Sequence, residues 1–235
     1  MFAAYKQHLI TLSALVAIAT SAIAKPPTDG LVLNFRNGPD TLKLKDSSSS
    51  KNSGRATSVV IPANPSLVSM QNTHQITLAL WIKPNSIPVE FPVLISKGAH
   101  NSSNTNGGYE LTLNWNGDND ILFYSGTFEA HTANANGSLV NHHLGEWIHI
   151  AVTIDATAQT AQIYVNGQPY QNVLTSGSYT DINFDTPYNL YVGTEDPGAA
   201  PSFSTFDGII RQVLIYNRAL SATEVQSIFS TTTPK

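Results

Sequence analysis

From Gly145 to Gly167 the chain reads GEWIHIAVTIDATAQTAQIYVNG, and this stretch leaves few folds open. Ile148, Ile150, Val152 and Ile154 alternate with Trp147, His149, Ala151 and Thr153, the period of two that gives a β-strand two different faces. Ala161, Ile163 and Val165 alternate in the same way with Gln162, Tyr164 and Asn166. Asp155 to Thr160 supplies the reversal between the arms. Asn166-Gly167 supplies a second one, since both residues tolerate the positive φ of tight hairpin turns. The spacing predicts a β-hairpin around which the remaining strands assemble.

Strand signals recur on both sides of it. Gly30 to Phe35, Leu42 to Lys45 and Ser58 to Ile61 read as short strands, separated by a Ser-rich polar stretch from Asp46 to Ser58 that reads as a solvated loop. Pro62 to Asn72 reads as loop. Gln75 to Lys83 is a strand with Ile76, Leu78, Leu80 and Ile82 on one face and Thr77, Ala79 and Trp81 on the other, ended by Pro84. Pro92 to Lys97, Tyr109 to Trp115, Asp120 to Ser125, Asn189 to Gly193 and Phe206 to Tyr216 follow as strands. Gly98 to Gly108, Thr127 to Gly145 and Thr194 to Ser204 read as polar connections. Ser221 and Glu224 have capping-box spacing before an apolar stripe of Val225, Ile228 and Phe229, which predicts the one helix of the domain. The fold class expected is all-β: two antiparallel sheets stacked as a sandwich, closed by one short C-terminal helix.

Composition narrows the setting. Charged residues make up 12% of the chain, the net charge is -4 and no basic block occurs, which speaks against a nucleic-acid partner. Residues 1–24 read as a signal peptide, with an apolar run from Leu9 to Ala19 and an Ala22-Ile23-Ala24 cleavage site. The run is shorter than the ~20 residues of a bilayer span, so no membrane span is expected. The expected organisation is thus a leader at 1–24, a β-sandwich at 25–230 and a tail at 231–235, exported to the periplasm or the medium. There is no cysteine, so an exported domain of this kind must be held by its core.

Several segments together resemble the laminin-G-like jelly rolls of the concanavalin A-like lectin and glucanase superfamily. They are GLVLNF at 30–35, ITLALWIKPNSI at 76–87, LISKG at 94–98, GEWIHIAVTID at 145–155, AQIYVNGQ at 161–168, YVGT at 191–194 and FDGIIRQVLIYNRALSATEVQSIF at 206–229. The resemblance implies a concave sheet, with binding at that face or along one rim. It leaves the function open among sugar-binding modules, adhesion domains that bind protein, and enzymes that hydrolyse or cleave polysaccharides.

Candidate site residues divide along those lines. Glucanases of the superfamily use a Glu-x-Asp-x-x-Glu strand, and this chain lacks it; Glu90, Glu110, Glu129, Glu146, Glu195 and Glu224 are isolated in sequence. No Gly-x-Ser-x-Gly elbow is present either, so a non-catalytic role is the expectation. Polysaccharide lyases of related form pair Tyr with His, which makes Glu110, His149 and Tyr164 the enzymatic candidates; the plainer reading of His149 is a hydrogen-bonded structural histidine. Carbohydrate binding asks for aromatic rings and hydrogen-bonding side chains. Glu110, Asn114, Tyr124 and Tyr164 on strands, with Asn104, His131 and His142 on loops, are the candidates, and the partner expected is a glycan or glycosylated surface. Thr112 and Gln162 add polar positions. Trp81, Trp115 and Trp147 read as core.

Many laminin-G-like domains bind calcium through an acidic position in the final long strand, which usually reads like F-x-G-x-I-D-D-V. Here 206–213 reads FDGIIRQV, with Arg211 and Gln212 where two aspartates are expected. Asp46, Asn52 and Asp207 are the remaining candidate ligands for Ca2+. A guanidinium repels a cation that needs hard oxygen ligands, so the expectation is that no cofactor is held and that Arg211 pairs with Asp46 in place of the ion.

Overall fold

The computed structural model describes residues 25–36, 43–46, 54–56, 59–87, 91–98, 107–115, 120–132, 143–195 and 204–234, with backbone alone at 36, 43–46, 54–56, 114, 115, 120 and 204. In chain order the strands begin with β1 (Leu31–Arg36), β2 (Lys43–Asp46), β3 (Gly54–Ala56), β4 (Val59–Ile61), β5 (Gln75–Pro84), β6 (Pro92–Lys97), β7 (Tyr109–Trp115) and β8 (Asp120–Ser125). They continue with β9 (Phe128–Thr132), β10 (Ile148–Asp155), β11 (Thr160–Val165), β12 (Gln168–Pro169), β13 (Val173–Ser176), β14 (Leu190–Val192), β15 (Ser204–Thr205) and β16 (Gly208–Tyr216). One helical turn, α1 (Met70–Thr73), precedes β5, and α2 (Ala222–Thr232) closes the described chain.

The strands form two antiparallel sheets. In the hairpin sheet the order is β12-β11-β10-β5-β16-β1-β2, and in the facing sheet it is β3-β4-β14-β6-β7-β8-β9-β13. β2 pairs with β1 on one side and β3 on the other and so joins the layers, while β15 adds a short parallel pairing to β6. The predicted hairpin is present in the expected register, with Ile150 opposite Val165, Val152 opposite Ile163 and Ile154 opposite Ala161. Asn166 and Gly167 both adopt positive φ, 49° and 76°. The other reversal is held by Asp155, whose Oδ1 accepts from the Ala158 N–H at 2.8 Å.

One core lies between the sheets. Ile148, Ile150, Val152 and Ile154 from β10, Ile76 to Ile82 at alternate positions of β5, and Leu111, Leu113, Ile121 and Phe123 from the facing sheet are all inaccessible to solvent. At about 25 cal/mol per Å2 of apolar surface removed from water, such a core holds the domain without disulfides. The opposite face of the hairpin sheet is covered too. Val225 and Ile228 of α2 pack with Ala79, Ala151, Tyr164, Leu214 and Tyr216 into a second, smaller apolar cluster. A sheet buried on both faces explains why β5 and β10 are apolar almost throughout. The helix starts as expected: Ser221 Oγ accepts from the Glu224 N–H, and the Glu224 carboxylate accepts from the Ser221 N–H. Arg218 then pairs with Glu224 at 2.6 Å.

Four expectations need correction. Asp46 to Ser58 is not loop throughout, since β3 lies within it; Pro62 to Asn72 holds a 3-10 turn at Pro65–Val68 and the start of α1. The polar connection from Thr127 contains β9, whose Phe128 and Ala130 face the core, and β13 supplies a further edge strand at Val173–Ser176. Trp147 is half-buried at the surface rather than in the core, whereas Trp81 is buried as expected, beneath α2. The Trp115 side chain lies outside the described residues.

Candidate functional site

On the facing sheet, pairing register turns separate strands into one row of side chains. Tyr191 of β14 stands opposite Ser96 of β6, Ser96 opposite Glu110 of β7, Glu110 opposite Tyr124 of β8, Tyr124 opposite Glu129 of β9 and Glu129 opposite Ser176 of β13. Their chain neighbours Val192, Ile95, Leu111, Phe123 and Phe128 all belong to the central core, so period-two alternation sends the row to the outer face. A second row runs beside it through Thr112, Leu122, His131 and Leu174. A bulge between Val93 and Ile95 brings β6 into this alignment.

The first row is tied together by hydrogen bonds. Ser96 Oγ donates to Glu110 Oε2 at 2.9 Å, Tyr124 stands opposite the same residue, and Ser176 Oγ donates to Glu129 Oε2 at 3.0 Å. Glu195, just beyond β14, is buried and adds a second carboxylate near Glu110. Burial first, and then the Glu195 charge, push the Glu110 carboxyl up to about 8, against the opposing influence of the neighbouring Tyr124 and Ser96 hydroxyls. At neutral pH Glu110 is therefore mostly a neutral acid, able to donate as well as accept. Burial and the adjacent Glu110 also raise Tyr124 above the ordinary phenol range, so it stays protonated. The row is enclosed at Ser96, Glu110 and Tyr124 and opens toward Glu129 and His131, both half-exposed.

Of the sequence candidates, Glu110, Tyr124 and His131 come together on this face. Asn114 continues the backbone of β7, while Asn104 and His142 lie outside the described residues. Tyr164 and His149 do not join them. Both sit on the outer face of the hairpin sheet beneath α2, with the whole central core between them and Glu110. The proposed convergence of Glu110, His149 and Tyr164 is thus ruled out by alternation on two different sheets. His149 is also not the hydrogen-bonded structural histidine expected: among the described residues neither ring nitrogen has a hydrogen-bond partner, and burial pushes the ring down to about 3. Its backbone N–H donates to Asn166 Oδ1 at 3.0 Å. Gln162 Nε2 is engaged by the carbonyls of Ile163 and Tyr170.

Ser96 and Tyr191 were not foreseen, and Glu129 and Glu195 only as isolated glutamates. The alternation F-E-A-H-T at 128–132 was the available signal for β9.

Of the calcium candidates, only the Asp207 side chain is described. The Asp207 carboxylate accepts from Ser86 Oγ at 2.6 Å and Asn85 Nδ2 at 3.1 Å, bonds that hold it below the usual carboxylate range. Asp46 is in β2 with its side chain not described, and Asn52 lies outside the described residues, so the Arg211 to Asp46 pairing does too. Arg211 stacks its guanidinium over Trp147, 5.3 Å from the ring centroid. Gln212 occupies a bulge at φ 52° and donates to Asn34 Oδ1 at 3.0 Å. Among the described residues no three His, Asp or Glu side chains gather in a metal-binding group.

A family model, Laminin_G_3, described as Concanavalin A-like lectin/glucanases superfamily, matches residues 53–226. No curated protein matches the chain. Among solved structures, the binding domain of Paraclostridial Mosquitocidal Protein 1 superposes with a TM-score of 0.57 at 17% identity, over 85% of this chain and 52% of that one. A botulinum neurotoxin type C structure, from work describing cell entry through interaction with two ganglioside molecules, superposes with a TM-score of 0.56 at 15% identity, over 87% and 52%. Trypanosoma rangeli sialidase in complex with sialic acid gives 0.52 at 19%, over 89% and 34%. The chain thus spans about half the length of the toxin structures and about a third of the sialidase, and at these identities the likeness is one of fold.

Proposed function

Because the chain belongs to the Laminin_G_3 family of the Concanavalin A-like lectin/glucanases superfamily, we propose that it is an exported, non-catalytic glycan-binding domain that takes its ligand on the outer face of the facing sheet. The observation that carries this reading is the open end of the polar row, where half-exposed Glu129 and His131 stand beside the enclosed Tyr124 and Glu110. Sugar hydroxyls need fixed donors and acceptors, and side chains held on a rigid sheet supply them with little ordering cost. The other outer face is taken by α2, which leaves the facing sheet as the polar one. A ganglioside and sialic acid are ligands of the toxin and the sialidase; a glycan is the same ligand class, proposed here on this chain's own row.

A glycan array probed with the protein tests the proposal. Retention of a defined set of glycans is expected, and no retention above a non-binding control would overturn it.

A second reading rests on one observation, the neutral Glu110 acid beside Glu195. Two carboxyl groups are what glycoside hydrolysis requires, one to protonate the leaving oxygen and one to act on the opposite side. Release of reducing ends from a polysaccharide panel, abolished in Glu110→Gln, would establish it. The non-catalytic reading predicts none.

A further inference from the structure

Between Lys83 and Arg211 the sequence holds a single Lys or Arg, Lys97, and twelve of the chain's 16 acidic residues. β6, β7, β8, β9, β13 and β14, which make up the facing sheet apart from β3 and β4 at one edge, all fall in that interval. Lys97 does not reach the outer face. It is 1% exposed, its neighbour Ser96 takes the outward position, and its Nζ donates to the carbonyls of Thr186 and Tyr188.

The other described cationic side chains stand elsewhere. Lys25 precedes β1, Lys83 and Arg211 belong to β5 and β16 of the hairpin sheet, and Arg218 pairs with Glu224 at the start of α2. Arg55 of β3 shares the row through Val60 and Tyr191, but it is six strands away from Glu129, roughly 29 Å at the spacing of paired strands. The open end of the row thus presents the Glu129 carboxylate, with Glu110 and Glu195 further in, and no ammonium or guanidinium among the described residues. Glu110 Oε1 and Thr112 Oγ1 are buried on the same face, with no hydrogen-bond partner among the described residues.

We infer that the glycan taken at this face is free of acidic sugars, and that Glu129 sets the restriction. The inference rests on the glycan-binding reading above and names the ligand class for it. A carboxylate or sulfate brought beside Glu129 meets a like charge and no counter-charge. A sugar hydroxyl both donates and accepts, so it suits Glu129 and the unpartnered oxygens alike. Charges this exposed are screened over about 8 Å at physiological salt, so the restriction acts on the sugar next to Glu129 rather than on distant parts of the ligand. Sialic acid, which the sialidase of similar fold holds, carries a carboxylate and lies outside the class assigned here.

The test is a glycan array that carries each neutral glycan beside its sialylated derivative and the methyl ester of that derivative, followed by calorimetric titration of the best-bound set. The neutral member is expected to bind roughly tenfold more tightly than the sialylated one, with the gap widening at low ionic strength. The methyl ester keeps the size and removes the charge, so it recovers most of the loss, and Glu129→Gln narrows the gap between acid and ester. Sialylated members bound as tightly as the neutral ones overturn the inference and leave the glycan-binding reading standing. An ester as weak as the acid shows that size decides and overturns it too, and an unchanged gap in Glu129→Gln removes the role given to Glu129. Retention of no member of the array overturns the glycan-binding reading, and the inference with it.

Discussion

The imidazole of His149 lies 5.2 Å, centroid to centroid, from the indole of Trp81, its cross-strand neighbour, with the rings tilted by 60°. Phe229 of α2 stacks on the same indole at 5.4 Å and 23°, and meets the imidazole edge-on at 5.9 Å. The Trp81 Nε1–H donates to Thr232 Oγ1 at 2.8 Å in the last turn of that helix. Three rings and one hydrogen bond thus fasten the end of α2 over a histidine sealed from water.

That enclosure makes stability depend on acid. Burial lowers the His149 ring from its ordinary value to about 3, so between roughly pH 6.5 and 3 the unfolded chain binds a proton that the folded one refuses. Stability from this group is present above pH 6.5 and is lost as pH falls toward 3, with a limiting slope of about 1.4 kcal/mol per pH unit. Urea midpoints between pH 4.5 and 3 should fall more steeply in the parent than in His149→Leu. Equal slopes would show that the ring is protonated in place.

Glu110 acts in the opposite direction. Its folded value near 8 lies above that of a free carboxylic acid, so the folded chain holds a proton that the unfolded chain releases above about pH 4.5. Stability from this group is present below pH 4.5 and is lost as pH rises through 8. Between 4.5 and 6.5 the His149 and Glu110 slopes oppose each other, which predicts a broad maximum there. Glu110→Gln retains an acceptor for Ser96 and removes the alkaline limb; urea midpoints at pH 6.5 and 8.5 measure the difference.

The two faces of the hairpin should respond alike to truncation. Ile150→Ala and Val152→Ala open the central core, and each is expected to cost about 2–4 kcal/mol in equilibrium unfolding. Tyr164→Ala empties the cluster under α2 and should cost on the order of 3 kcal/mol. Wild-type midpoints in Ile150→Ala and Val152→Ala would contradict the face assignment.

Calcium should be without effect. Asp207 is engaged by Asn85 and Ser86, and Arg211 lies over Trp147 at the position where the resemblance implies an acidic ligand. Excess chelator and added calcium are both expected to leave Tm unchanged. A fall of several degrees with chelator would reveal a metal site.

The hairpin and α2 were legible because their information is local: alternation at Ile148 to Ile154, turn chemistry at Asn166-Gly167 and the Ser221/Glu224 box each lie within a few residues. Period-two alternation also tells which residues share a face, and it separated Trp81 from Ile82 correctly. It does not tell what covers that face, so Trp81 and Tyr164 could not be placed beneath a helix more than fifty residues downstream in the chain. Strand β9 was hidden by the polar residues around its two inward side chains. The row through Ser96, Glu110, Tyr124 and Glu129 depends on three registers and a bulge, none of which any single strand encodes.

The direct test of the glycan-binding face is a calorimetric titration of an array-selected glycan into the parent, a Glu129→Ala/His131→Ala variant of the open end of the row, and a Gln168→Ala/Gln226→Ala variant. Gln168 and Gln226, joined at 2.7 Å, lie where α2 meets the hairpin sheet. The account predicts at least a tenfold loss of affinity in the first variant and parent-like affinity in the second. Parent-like affinity in the first variant with loss in the second would place the ligand on the wrong sheet and contradict the proposal.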